Sequence, residues 1–190
     1  AQIGNTFPDI STKTIDQTKE IGTIEGGQYV NLDGSMGYTI PIAVPDGING
    51  IAPNISINYN SFSGNGLFGW GWNISAISAI SLGNTDLYHD GFINAVSLSS
   101  VSGFNFNGQK LQKLSGASYR TFENSSNKIT GTGSVGNYSK FTVETNNGLI
   151  LELGGTANSK IANSNGITLS WLLNKVSDKY GNYAEYQYIL

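Results

Sequence analysis

Apolar residues along this chain recur mostly at every second position. Tyr38, Ile40 and Ile42 share one side of an extended segment while Thr39 and Pro41 take the other. Ile55, Ile57 and Tyr59 repeat the alternation against Ser56, Asn58 and Asn60. Two half-buried strands are predicted. Between them, Pro45-Asp46-Gly47 and Asn49-Gly50 supply turn chemistry, because Pro presets φ and Gly or Asn tolerates positive φ. Pro41 lacks an N–H, which argues for a sheet edge or a bulge. Further strand-like runs are Val96–Leu98, Phe104–Phe106, Ser118–Phe122, Phe141–Thr145, Leu149–Leu153, Leu169–Val176 and Tyr183–Tyr188. Asn146-Asn147-Gly148 predicts a hairpin between Phe141–Val143 and Leu149–Leu151. Ile74, Ile77 and Ile80 recur every third position over Ser75–Leu82, which fits a helix or a strand. The final run, Tyr183 to Leu190, alternates and then stops without a turn, Pro or charged tail, so an open edge that pairs with further sheet is expected.

One segment departs from simple alternation. In Ser63-Gly64-Asn65-Gly66-Leu67-Phe68-Gly69-Trp70-Gly71-Trp72, four glycines let the backbone turn sharply or approach another backbone. Gly64 and Gly66 are expected at positive φ, whereas Gly131 and Gly133 are placed in a loose loop. Trp70 and Trp72 project to the same side if the segment is extended, and a core role is expected for them. A phosphate cradle would need a following helix and usually a Lys, and neither is visible.

Composition narrows the class. With 190 residues the chain can bury a core without staples, and with no cysteine it has no disulfide or thiol chemistry. A formal net charge of −3 with 12% charged residues leaves no basic patch for nucleic acid. No apolar run is long enough for a transmembrane helix. Residues 1–28, with Thr12, Lys13, Asp16, Lys19 and Glu20, read as an extended polar leader, and residues 29–190 as a β domain. The start at Ala1-Gln2 fits a chain secreted, or held at a bacterial cell surface, after signal-peptide removal.

Candidate chemistry is sparse. His89 is the one histidine, and Asp86, His89 and Asp90 form the one cluster suited to metal or acid–base work. Their spacing is no established zinc pattern and a further nitrogen or thiolate is missing, so a self-satisfied polar turn is expected. Asp33, Asp46, Glu123, Glu144, Glu152, Asp178 and Glu185 could meet as paired carboxylates, but nothing selects a pair. No catalytic, cofactor-binding or metal residue is therefore assigned. Three Trp, ten Tyr and eight Phe could build a sugar-stacking platform, yet Trp70 and Trp171 sit in apolar alternations that favour core.

Several motifs together resemble a known family. Tyr38 to Ile42 with Pro41, then Pro45, Pro53, Tyr59-Asn60-Ser61, and Gly64-Asn65-Gly66 through Gly69-Trp70-Gly71-Trp72 look like the opening signature of SpvB-type domains. Such domains open Tc-toxin B components, Salmonella virulence plasmid B proteins and secreted Rhs/YD-repeat proteins. Asp90-Gly91 is similar to the segment that follows the Trp motif. Phe104 to Leu111 resembles the family's Phe-x-Leu-Asp-Gly-Gln-Arg-Leu step around Gly108, with Asn107 and Lys110 in place of Asp and Arg. If that Asp and Arg form a salt bridge in relatives, it is weakened here. Trp171 to Asp178 followed by Gly181-Asn182 resembles a YD-repeat unit, with Tyr186 and Tyr188 on its strand. The resemblance implies an all-β array of short antiparallel strands and hairpins that begins an Rhs/YD-type shell and has no enzymatic role. The implied partners are the remainder of the same polypeptide, including repeats and a carboxy-terminal effector, and export machinery. The virulence type carries an ADP-ribosyltransferase domain marked by a Glu-x-Glu step, which is absent here. A free-standing extracellular carbohydrate-binding or adhesion module is the alternative.

Overall fold

The alternating segments become strands in two large sheets of different character, accompanied by a small two-stranded hairpin. The computed structural model describes residues 26–66, 68–96, 103–122, 126–134 and 137–189. Residues 1–25 of the expected leader, Leu98, Glu123 and Leu190 lie outside the described residues. Val96 is exposed coil.

The first sheet holds β1 (Gly27–Val30), β2 (Met36–Ile42), β3 (Ile55–Asn60) and, after an excursion made of β4 (Asn65–Gly66) and β5 (Gly69–Trp70), β6 (Trp72–Ile74). Its order is β1-β2-β3-β6, antiparallel throughout. Cross-strand pairs Val30 with Met36, Tyr38 with Tyr59, Ile40 with Ile57, Ile42 with Ile55, Tyr59 with Trp72 and Ile57 with Ile74 gather the apolar side chains on one face. Thr39, Asn58 and Asn73 line the other. Both strands predicted around Tyr38 and Tyr59 are therefore present and adjacent. The edge or bulge expected at Pro41 is an edge only locally, since β2 lies inside the sheet. The proline is tolerated because the β1 ladder ends at Thr39 and leaves Pro41 paired only with Ser56 of β3.

The second sheet begins with β7 (Ala79–Gly83), which makes residues 79–82 of the ambiguous 75–82 window strand, while 75–78 are turn and coil. A single helical turn, α1 (Leu87–Asp90), follows. Then come β8 (Gly103–Phe106), β9 (Gln109–Lys113), β10 (Ser118–Thr121), β11 (Lys128–Ser134), β12 (Asn137–Glu144), β13 (Ile150–Leu153), β14 (Lys160–Ala162), β15 (Thr168–Ser177) and β16 (Tyr183–Glu185). Each of β7 to β12 pairs with the next, and β15 pairs with both β7 and β13. An eight-stranded antiparallel barrel results, with no free edge among those strands. The ten-residue β15 is the closing element. Its Trp171 lies between Ile80 of β7 and Lys160 of β14, and its Val176 between Leu151 of β13 and Ala184 of β16.

The predicted hairpin is present: Gly148, at φ 82°, donates its N–H to the Thr145 carbonyl at 3.0 Å between β12 and β13. β11 was not predicted, and the loose loop expected around Gly131 and Gly133 is corrected to this strand. Its sequence, Lys-Ile-Thr-Gly-Thr-Gly-Ser, has one large apolar residue, so alternation was invisible. Gly131 is glycine because the Tyr138 ring lies 2.6 Å from where its Cβ would be.

Among the described residues, all twelve buried apolar ones lie in the barrel, from Ile80 to Leu173. Phe104 sits at the centre, its ring 5.6, 5.7, 5.3 and 5.8 Å from those of Tyr119, Tyr138, Phe141 and Trp171, mostly edge to face. The polar tips are satisfied, with the Tyr119 and Tyr138 hydroxyls 2.9 Å apart. Burial raises the Tyr119 phenol pKa, reinforced by the Tyr138 hydrogen bond.

The terminal run also differs from expectation, since only Tyr183–Glu185 is strand. Tyr186 still donates its N–H to the Asn174 carbonyl, and Tyr188 its hydroxyl to the Leu173 carbonyl at 2.7 Å. Burial pushes the Tyr188 phenol up to about 12. The Tyr188 carbonyl accepts from Asn158 Nδ2 at 3.1 Å, so a backbone acceptor on this run is already used.

Candidate functional site

The Gly-rich excursion is a small hairpin anchored to the first sheet. Asn60 donates its N–H to the Gly71 carbonyl and Gly71 donates to the Gly64 carbonyl, both at 2.9 Å, while Asn65 pairs with Trp70 and Gly66 with Gly69. Asn60 Oδ1 accepts the Phe62 N–H at 2.8 Å, and Ser61 Oγ accepts the Met36 N–H at 2.9 Å. Gly71 is at φ 80°, and a Cβ there would sit 2.6 Å from the Tyr59 ring and 2.8 Å from the Asn60 carbonyl. Gly66 is constrained by close approach, because its Cβ would fall on the carbonyl oxygen of Trp72. The expectation of positive φ at Gly64 and Gly66 is corrected, since that conformation falls on Gly69 and Gly71.

Trp70 and Trp72 part company because that backbone is turned rather than extended. Trp72 packs against Tyr59 and Tyr38, with ring centroids 5.2 and 6.5 Å away. Trp70 is 70% exposed on the hairpin, which overturns the reading of it as core. Trp171, at 2%, is core.

The YD-like segment forms the β15–β16 loop. Asp178 Oδ1 accepts the N–H groups of Tyr180 and Asn182 at 2.8 and 2.9 Å, and Gly181 adopts φ 89°. Its Oδ2 accepts from Asn182 Nδ2 at 2.8 Å and from Asn49 Nδ2 at 3.0 Å. These bonds, Asn182 first and Asn49 second, hold the carboxyl down at about 2. Pro45 and Pro53 flank the segment containing Asn49, so this carboxylate links the turn of the first sheet to the barrel.

Asp86, His89 and Asp90 form the self-satisfied turn expected, with one unforeseen partner. Asp86 caps α1 by accepting the His89 N–H at 2.8 Å, and Gly91 closes the turn at φ 76°. Lys110 Nζ, largely buried, donates to Asp86 Oδ2 at 2.9 Å, to the Asn84 carbonyl at 3.1 Å and to Asp90 Oδ2. Both carboxylates are held below the usual range, Asp86 chiefly by the His89 N–H and Asp90 chiefly by Lys110. Burial pulls the Lys110 ammonium down, but its bonds to Asp90 and Asp86 outweigh this and keep it raised. Lys110 thus pairs with α1 instead of position 107. Asn107 turns at φ 49° beside Gly108 and accepts the Ala79 N–H at 3.0 Å. A cleft of ≈ 570 Å³ lies beside this node, lined by His89, Phe92, Phe122, Gln112 and Lys113 over a floor of Phe104, Leu111 and Tyr119. Among the described residues, no group of three His, Cys, Asp or Glu is placed to hold a metal ion, and no helix is long and apolar enough to cross a membrane.

Of the carboxylates named as possible pairs, Glu152 and Glu144 bind Lys140 and Lys128, and Asp178 serves its own turn. Asp33 caps the Ser35 N–H and hydroxyl.

Residues 30–86, which contain the Gly-rich hairpin, match the family model of the Salmonella virulence plasmid 65kDa B protein, SpvB. That segment is similar to SpvB. The likeness of fold extends beyond it. The crystal structure of TcdB2-TccC3 matches with a TM-score of 0.70 and 20% identity over 88% of this chain and 9% of that one. The Photorhabdus luminescens Tc holotoxin pore matches at 0.65 and 19%, with the same coverage of both chains. The N-terminal domain of effector protein SpvB from Salmonella typhimurium strain LT2 matches at 0.55 and 18%, over 73% of this chain and 50% of that one. The chain therefore spans 9% of the Tc chains and half of the SpvB domain. At these identities the likeness to the solved structures is one of fold. A search of curated proteins gave no match.

Proposed function

We propose that this chain is a non-catalytic, amino-terminal segment of the β shell of a larger exported Rhs/YD-type toxin or surface protein, where it helps to enclose or present a carboxy-terminal effector. The observation that carries the reading is the fold match to Tc toxin structures over 88% of this chain but 9% of theirs. Two features of the chain support it. The barrel is filled by its own Phe104-centred aromatic cluster, leaving the interior to packing, and Asp86, Asp90, Lys110 and Asp178 are spent on turns and ion pairs. Partners on this reading are the rest of the same polypeptide and export machinery, with signal-peptide removal before release.

The intact mass of the native polypeptide tests the reading. A mass many times the 20.2 kDa of this chain is expected, and a native product of about that size would overturn it.

A second reading, an extracellular carbohydrate-binding or adhesion module, is favoured by the exposed Trp70 and by the aromatic-walled cleft beside His89. A glycan array separates the two, since the shell reading expects no saturable glycan binding.

A further inference from the structure

The face of the first sheet formed by Val30, Met36, Ile40, Ile42, Ile57 and Trp72 is apolar across four strands, yet none of these residues is buried. Val30, Met36 and Ile42 are 74%, 50% and 39% exposed. The barrel offers this face no core, because among the described residues every buried apolar one belongs to the barrel itself, from Ile80 onward. An isolated sheet with one apolar face is stable only when a second layer covers it, at about 10 Å in a sandwich.

The chemistry of the face selects the cover. None of β1, β2, β3 and β6 contains a charged residue, so the face carries neither the cations that hold phosphate nor the charges that select an oppositely charged peptide. Its shape is a pleated row of Ile and aromatic side chains, which complements another apolar sheet face. We infer that this face packs against a β layer supplied by a later part of the same polypeptide, outside residues 1–190. The inference rests on the shell reading, under which the fold is a small share of one long chain, as in the matched Tc structures. Intramolecular supply also makes the layer available at high effective concentration.

A photo-crosslinking residue placed at Ile57, in the native full-length polypeptide, tests this against the same residue at Asn73 on the polar face. Links from position 57 to residues beyond 190 of the same molecule are expected, unaffected by dilution and at least tenfold above those from position 73. Links between two copies that fade on dilution, links confined to residues 1–190, or equal yields from both positions would overturn the inference. As a smaller perturbation, Ile57→Cys should react with a maleimide at least tenfold more slowly than Asn73→Cys in the native protein, and equal rates would count against it. A native polypeptide of about 20.2 kDa would remove the shell reading and this inference together. A long polypeptide without such links would remove the inference alone.

Discussion

Trp171 and Tyr138 are joined across the barrel by a buried hydrogen bond, the indole Nε1–H donating to the Tyr138 carbonyl oxygen at 3.0 Å. Trp171 belongs to the closing strand β15 and Tyr138 to β12, so the bond ties the seam of the barrel to a strand two places away in the sheet. The Trp171 ring also stacks edge on against Phe141 at 5.1 Å, which places the indole between the seam and the aromatic centre.

This arrangement separates the tryptophans. Trp171→Ala removes a fully packed ring and should cost about 3–5 kcal/mol. Trp70→Ala acts on an exposed side chain and should stay within about 0.5 kcal/mol. Urea denaturation of the two variants checks this, and comparable losses would contradict it.

The glycines of the hairpin should separate in the same way. Gly71→Ala meets the Tyr59 ring and the Asn60 carbonyl at positive φ and should destabilise by about 1 kcal/mol or more. Gly64→Ala points into open space and should be close to neutral. Thermal melts of both variants decide the matter.

Lys110→Met leaves Asp86 and Asp90 without their shared cation. Both carboxyls have folded pKa values below their unfolded ones, so their contribution is present above the unfolded value of about 3.9 and is lost as pH falls through the folded values. The melting temperature of the variant should therefore lie below that of the parent at pH 7, and the gap should narrow below about pH 4. A gap constant with pH would show that the ion pairs are energetically silent.

Asp178→Ala frees the N–H groups of Tyr180 and Asn182 and the side chain of Asn49. Faster amide hydrogen exchange at Tyr180 and Asn182 is expected, with the barrel strands unchanged. In the parent the turn should persist in acid down to the Asp178 folded value of about 2, because a depressed carboxyl keeps its contribution until pH falls through it. Unaltered exchange in the variant would refute this role.

The alternation of apolar residues was enough to predict β2, β3, β8, β10, β12, β13 and β15, because a half-buried strand must place its large side chains at every second position. The Asn-Gly pair at 147–148 likewise announced its hairpin through backbone chemistry that is local. The Asp178 turn was reached only through the resemblance to a YD-repeat unit, although its carboxylate serves amides just two and four residues away.

What the sequence could not carry was any feature decided by how segments pack on one another. Strand β11 has too few large side chains to show alternation, its Gly131 making room for the ring of Tyr138, and Pro41 is tolerated because a neighbouring ladder ends at Thr39. Trp70 is exposed while Trp72 is packed because Gly69 and Gly71 turn the backbone between Tyr59 and the hairpin, which spacing alone read as extended. Lys110 reaches Asp86 and Asp90 only once β9 lies beside α1. Closure of the barrel is the same kind of fact. Alternation determined that those seven segments are strands and which side of each is apolar, but the pairing of β15 with both β7 and β13 was decided by tertiary structure, since hydrogen-bond register between distant strands is set by how all their side chains pack together.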